Sequence, residues 1–306
     1  MTLPNFVLIG ASKAGTSSLA NQLGQHPQVF MSPNKEPMFF ALHAQSVGRN
    51  RAGALQWEGA VSTWEEYQAL FDGVTDETAI GEASTVYLAL PGVAEAIQRH
   101  LPDARLIAIL RDPSARALSA HAMCVGMGIE NVTDFSEAIR EEGPSTYWRP
   151  YLRAGLYFEQ LERYYRLFDP NQILVLLYDD FLHSPTQVLD TVFRFLGVSD
   201  RFVPNTSVWL NPNPAATAPR SKALDEFMNK SHPLKALAKA LVPASLRSRA
   251  VEGLRKRNQV GVPRSTQRLT ATDRRFLVEF YRDDILKLEA LLQRDLATWL
   301  EPSPPA

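Results

Sequence analysis

Apolar residues along the 306-residue chain gather in short unbroken runs rather than alternating with polar ones. Asn5–Gly10 (NFVLIG), Ala104–Arg111 (ARLIAILR) and Gln172–Tyr178 (QILVLLY) are continuous stretches of strand length, and Thr78–Glu82 (TAIGE) is a weaker fourth. A strand apolar on both faces must be covered on both faces, which is the situation of strands in a parallel sheet. Between these runs the spacing becomes helical: Thr16–Gln25 (ended by His26-Pro27), Val93–His100, a stretch after Asp112-Pro113 through Ala117 and His121, Leu156–Phe168, and Thr186–Leu196. The alternation predicts an α/β fold with a central parallel sheet flanked by helices. From about Ser221 the pattern reads as helices only, closing with Thr272–Trp299. The expectation is a single domain over 1–306, with an α/β core over about 1–200 and a mainly helical part over about 221–300.

Composition narrows the class. Hydrophobic residues make up 45% and charged residues 21%, enough to bury a core and unlike a disordered chain. Lys and Arg number 32 against 33 Asp and Glu, a balance that argues against nucleic-acid binding but leaves room for a local basic pocket. Cys124 is the only cysteine and the six histidines are scattered, so the sequence offers neither a disulfide framework nor metal-ligand spacing. There is no apolar run long enough to span a membrane, and the start MTLPNFVLIGASK has no charged leader region. These features predict a soluble, cytoplasmic, metal-independent enzyme. The segment Lys222–Arg257 holds nine Lys/Arg and three Asp/Glu, with Leu234, Leu237, Ala238 and Leu241 at helical spacing. A helix pair with a solvated basic face is preferred there over a lid on an acidic acceptor or a peripheral contact with anionic lipid.

Candidate chemistry lies at strand ends. Gly10-Ala11-Ser12-Lys13-Ala14-Gly15-Thr16-Ser17 joins the first strand to the first helix, where backbone amides and the helix N-terminus point at one place. The spacing of its two glycines fits the Walker pattern, but Thr16 stands where that pattern has lysine, and the lysine lies inside the loop at Lys13. Such a loop suits a diester-like anion held without metal better than a nucleoside triphosphate with Mg²⁺. Downstream, Lys35 and Glu36 stand between Pro33 and Pro37, outside any regular helix or central strand, with Phe39-Phe40 as a core anchor. Arg111 ends a buried strand at its carboxyl edge, where open α/β sheets bind ligands, and Ser119 follows on the next helix. An Arg–Asp pair at the strand end is an equal reading for Arg111.

The segments GASKAGTSSL, KEPMFF and LRDPSARALS, in this order, resemble the sulfotransferases that use 3′-phosphoadenosine 5′-phosphosulfate (PAPS), particularly bacterial members and the heparan-sulfate type. Weaker agreement continues in GEASTVYL, RAGLYFEQLERYYRLF, QILVLLYDDF and DDILKLEALLQRDLATWL. The resemblance implies a P-loop-type sulfotransferase fold, PAPS as donor, adenosine 3′,5′-bisphosphate as product, no metal, and a small-molecule or carbohydrate acceptor. It implies that Lys13 and the backbone of Ala14, Gly15, Thr16 and Ser17 hold the 5′-phosphosulfate. Arg111 and Ser119 would hold the 3′-phosphate, with Arg264 substituting for a Lys-Gly element not found near the C-terminus. Lys35 would touch the sulfonate and Glu36 would take the acceptor proton. Heparan-type members often carry a lysine after the glutamate matching Glu82, where this chain has Ala83. Glu82 is read as orienting Lys13 or Lys35, or as a structural ion pair. His121 is read as structural and His43 as a surface histidine; Tyr87 and Tyr157 line the cleft or pack in the core or at the rim. The rival functions are an ATP–Mg²⁺ phosphotransferase, for which Asp112 is the strand-end carboxylate, and a non-catalytic nucleotide-binding module.

Overall fold

The computed structural model describes residues 2–44, 59–127, 130–140, 151–205, 217–219, 259–261 and 269–302. Five strands, β1 (Phe6–Gly10), β2 (Val29–Met31), β3 (Ala79–Ala83), β4 (Arg105–Leu110) and β5 (Ile173–Leu177), form a wholly parallel sheet in the order 2-3-1-4-5. Every residue of β1 and β3 is buried, as the unbroken apolar runs require. Each fully buried Leu, Ile or Phe contributes about 1.5–3 kcal/mol. Such a sheet leaves polar chemistry room only at its ends.

The helices in chain order are α1 (Thr16–Leu23), α2 (Phe39–His43), α3 (Trp64–Ala69), α4 (Val93–His100), α5 (Pro113–Gly126), α6 (Phe135–Arg140), α7 (Tyr157–Tyr165), α8 (Tyr178–His183), α9 (Pro185–Leu196) and α10 (Ala271–Leu292). Asp112 caps α5, its Oδ1 accepting from the amides of Ser114 (2.8 Å) and Ala115 (3.0 Å), with Pro113 in the first helical position. Thr63 and Glu66 form a reciprocal capping box on α3. Among the described residues no helix is long and apolar enough to cross a membrane.

The C-terminal helix α10 is tied to the sheet through polar contacts. Arg274, 1% exposed, pairs with Asp112 Oδ2 at 2.6 Å and donates to the carbonyls of Thr298, Trp299 and Glu301. Tyr281 donates to the Leu152 carbonyl at 2.9 Å, and Asp284 accepts from the Phe158 amide at the start of α7. The helices-only reading beyond Ser221 needs one correction. Gln259–Gly261 (β7) is a strand, paired antiparallel with Thr217–Pro219 (β6). Three residues are too few to show a two-residue period. The basic segment 222–257 lies outside the described residues.

Strand order fixes where a ligand can bind. The chain leaves β1 toward β2 on one side and leaves β4 toward β5 on the other, so the carboxyl ends of adjacent β1 and β4 flank a topological switch point. The loop after β1 and Arg111 after β4 both emerge there.

Candidate active site

The loop after β1 owes its shape to its two glycines. A Cβ on Gly10 would lie 2.9 Å from the Thr85 carbonyl oxygen, and one on Gly15 would lie 2.8 Å from the Tyr178 ring. Gly15 also has φ +90°, which side-chain-bearing residues rarely adopt. Gly10 therefore admits the segment after β3, and Gly15 admits the ring after β5. The amides of Gly15, Thr16 and Ser17 have no acceptor among the described residues, as expected of a helix start shaped for an anion.

Arg111 is held from three sides. Its guanidinium donates to the Lys13 carbonyl at 3.3 Å and lies 4.8 Å over the Tyr178 ring, and its own carbonyl accepts from the Tyr157 hydroxyl at 3.0 Å. Among the described residues neither Lys13 nor Arg111 is paired with a carboxylate. Burial, and then the Arg111 charge, hold the Lys13 ammonium below the usual lysine range, with smaller contributions from Lys35 and Arg116. Cations gathered without counter-charge beside orphan amides favour an anion between them. Ser119 sits half-buried about two turns into α5, the helix that starts at the same strand end.

Asp112 is occupied elsewhere. Its Oδ1 caps α5 and its Oδ2 pairs with Arg274, so the expected Arg–Asp pair at this strand end is made with a residue 162 positions away and not with Arg111. Both oxygens are thus engaged in holding α5 and α10 to the strand end.

The second half of the site grows from the segment between β2 and α2. Glu36 and Met38 both adopt left-handed backbone, with φ 63° and 57°. The Glu36 amide donates to the Ala83 carbonyl at 2.9 Å, which pins the turn to the end of β3. Thr85 clamps the carboxylate: its amide donates to Glu36 Oε2 at 2.9 Å and its hydroxyl to Oε1 at 2.8 Å. The Lys35 ammonium, 40% exposed, lies 3.2 Å from Glu36 Oε1. Phe39 and Phe40 are fully buried in a ring cluster with Trp64, Tyr67 and Tyr87, which anchors the segment as expected.

Several readings are refined here. Glu82 is fully buried and pairs with no lysine among the described residues; hydroxyls surround it, with Tyr67 donating to Oε1 at 3.4 Å, and the Glu36 carboxylate lies close enough to act on it. A charged partner would itself need desolvating at that depth, which is why hydroxyls stand there. His121 is buried against Phe135 and Tyr151 with Nε2 on the Val132 carbonyl, a structural placement. His43 is exposed, its Nδ1 on the Phe39 carbonyl. Tyr87 and Tyr157 are both core residues. Arg264 lies outside the described residues. Thr85 and Tyr178, missing from the sequence-based set, do most of the orienting. Only a tyrosine at the end of the third strong apolar run hinted at the second, and the first lay within the weaker match GEASTVYL without being singled out.

The model of the sulfotransferase family matches residues 4–201. In solved structures, a sulfotransferase from Alicyclobacillus acidocaldarius superposes with a TM-score of 0.68 at 30% identity, covering 98% of this chain and 100% of that one. The membrane-associated sulfotransferase kil1 of Dictyostelium discoideum is 33% identical over 121 residues, 40% of this chain. The bifunctional heparan sulfate N-deacetylase/N-sulfotransferase 1 of Caenorhabditis briggsae is 26% identical over 210 residues, 65% of this chain. Each of these alignments spans 23% of the curated relative's length. With the fold, the loop and the strand-end cations in agreement, the chain belongs to the sulfotransferase family.

Proposed function

We propose that the chain transfers the sulfuryl group of PAPS to a hydroxyl of a small-molecule or carbohydrate acceptor, releasing adenosine 3′,5′-bisphosphate without a metal. The observation that carries this reading is the meeting of Lys13, Arg111 and the orphan amides of Gly15 to Ser17 at the switch point. Beside them stands a carboxylate oriented by Thr85. The donor supplies an activated sulfuryl group on its 5′-phosphate.

Lys13 and the loop amides hold the 5′-phosphate side, where negative charge grows as the bond between sulfur and the bridging oxygen breaks. Arg111, stacked on Tyr178, and Ser119 hold the 3′-phosphate; the guanidinium fork suits a phosphate through two N–H groups. Glu36 takes the proton of the acceptor hydroxyl as its oxygen bonds to sulfur, and the electron pair of the broken bond stays on the departing phosphate. Thr85 donates to both Glu36 oxygens; Oε1 also receives Lys35, and Oε2, with the Thr85 amide alone among the described residues, keeps a lone pair for this task. A positioned base of this kind contributes roughly 10²- to 10⁴-fold. Lys35, within reach of Glu36 and close enough to act on Lys13, spans the two halves and stabilises the sulfonate oxygens.

A binding module has no use for a carboxylate beside an anion site, since it weakens anion binding. The test is acceptor-dependent release of adenosine 3′,5′-bisphosphate in the presence of chelator, across parallel panels of alcohols and amines. Release with alcohols is expected. Release with amines alone overturns the hydroxyl assignment, and release that requires Mg²⁺ overturns the metal-free one.

A further inference from the structure

Glu82 is a buried carboxyl that the proposed reaction does not use. It lies on β3 one residue before Ala83, whose carbonyl holds the Glu36 amide, and it is fully enclosed. Tyr67 donates to its Oε1, while Oε2 has no hydrogen-bond partner among the described residues. The hydroxyls of Ser84 and Tyr87 face the same carboxyl. On their other side these two hydroxyls accept from the segment that presents Glu36: Met38 N donates to Ser84 Oγ at 3.2 Å and Phe40 N to Tyr87 Oη at 3.3 Å. A hydroxyl that accepts an amide proton still has its own hydrogen to place. Here the group that both hydroxyls face is Glu82.

We propose that Glu82 is a positioning residue for Glu36: a neutral carboxylic acid that gathers the Tyr67, Ser84 and Tyr87 hydroxyls under the strained turn and so fixes where the base points. The inference rests on Glu36 being the base.

The surroundings agree with a neutral acid. The groups that face Glu82 are the Tyr67 hydroxyl from α3, the Ser84 and Tyr87 hydroxyls after β3, and the Glu36 carboxylate. Among the described residues no cation is one of them. Burial pushes the Glu82 carboxyl up to about 8; the Ser84, Tyr87 and Tyr67 hydroxyls pull it down, and the Glu36 charge adds to the rise. Burial likewise drives Tyr67 and Tyr87 well above the ordinary tyrosine range, so neither supplies a competing charge. Ionised, Glu82 would pull all three hydroxyl hydrogens to itself and set a second negative charge behind the base.

Two measurements on the full chain test this. The first is unfolding stability between pH 5 and 9 for the wild type and Glu82→Gln, and it needs neither donor nor acceptor. A proton kept in the fold to about 8 but released by the unfolded chain near the ordinary glutamate value of 4.5 stabilises fully at low pH, and that stabilisation is lost as pH rises across this window. The wild-type folding constant should therefore fall relative to Glu82→Gln by up to about tenfold per pH unit, then run parallel above the window. Parallel curves throughout would mean a charged Glu82 and overturn the proposal, whatever the fate of the sulfuryl-transfer reading.

The second measurement is kcat against pH. Wild-type turnover should drop as pH rises past about 8, while Glu82→Gln stays within a few-fold of wild type at pH 7 and lacks that drop. Coincident profiles, or a loss at pH 7 as deep as that of Glu36→Gln, overturn the positioning role. Tyr87→Phe keeps the ring and removes one hydroxyl. It should lower kcat with the donor KM unchanged, and unchanged kcat contradicts the network.

Discussion

At the carboxyl ends of β1 and β4 the groups proposed to bind the anion are backbone amides and two cations on the segments that leave those buried strands, with Tyr178 and Tyr157 fixing the arginine. At the β2–β3 edge the Glu36 carboxylate depends on side-chain hydrogen bonds from Thr85, in a turn held in left-handed conformation. The first region offers an anion groups that the fold provides nearly for free. The second spends strain, on the order of 1–3 kcal/mol per unusual residue, to aim a single side chain. The two meet through Gly10, whose missing side chain lets Thr85 pack against the phosphate loop. Binding and proton transfer should therefore be separable by mutation, although the groups are neighbours.

The widest separation is expected from Glu36→Gln, which should cut kcat by roughly 10²- to 10⁴-fold with nucleotide affinity nearly unchanged, as single-turnover rates and titration would register. Next comes the frame of the binding half. Arg274→Met strands the Asp112 carboxylate and should cost about 3–5 kcal/mol of stability, read from the denaturant midpoint. A shift under about 1 kcal/mol would mean that the buried pair does not hold α10 against the strand end. Arg111→Ala should weaken binding of adenosine 3′,5′-bisphosphate by about 1.5–3 kcal/mol and leave the Glu36 region intact. The smallest effect is expected from Thr85→Val, which removes the hydroxyl and keeps the amide of the clamp. A fall in kcat of about tenfold, with the nucleotide Kd unmoved, would place Thr85 with the base; a change in Kd alone would place it with the loop.

The same contrast explains what the sequence made legible. Parallel strands buried on both faces announce themselves as unbroken apolar runs, so β1, β4 and β5 were readable with α1, α5 and α9, along with the loop and Arg111 that end two of those runs; the short helix α8 was not, because Tyr178, read as the end of the strand, begins it. β2 is three residues long and carries no period. Helix α3 did leave a local mark, the Thr63-x-x-Glu66 capping box, ahead of a short amphipathic stretch. The Glu36 clamp left no such spacing, because Thr85 reaches it from 49 positions along the chain. Asp112 shows the same limit: its neighbour in sequence is Arg111, but its charge partner arrives from α10. Sequence spacing revealed where backbone would cradle an anion, and long-range packing decided which side chains were aimed there.

Calorimetric titration with adenosine 3′,5′-bisphosphate in chelator, with ATP–Mg²⁺ run in parallel, tests the division most directly. The expected result is metal-free binding by the wild type, retained in Glu36→Gln and lost or strongly weakened in Arg111→Ala. Binding of ATP only with Mg²⁺, or bisphosphate binding that survives the loss of Arg111 and collapses with Glu36, would contradict the account.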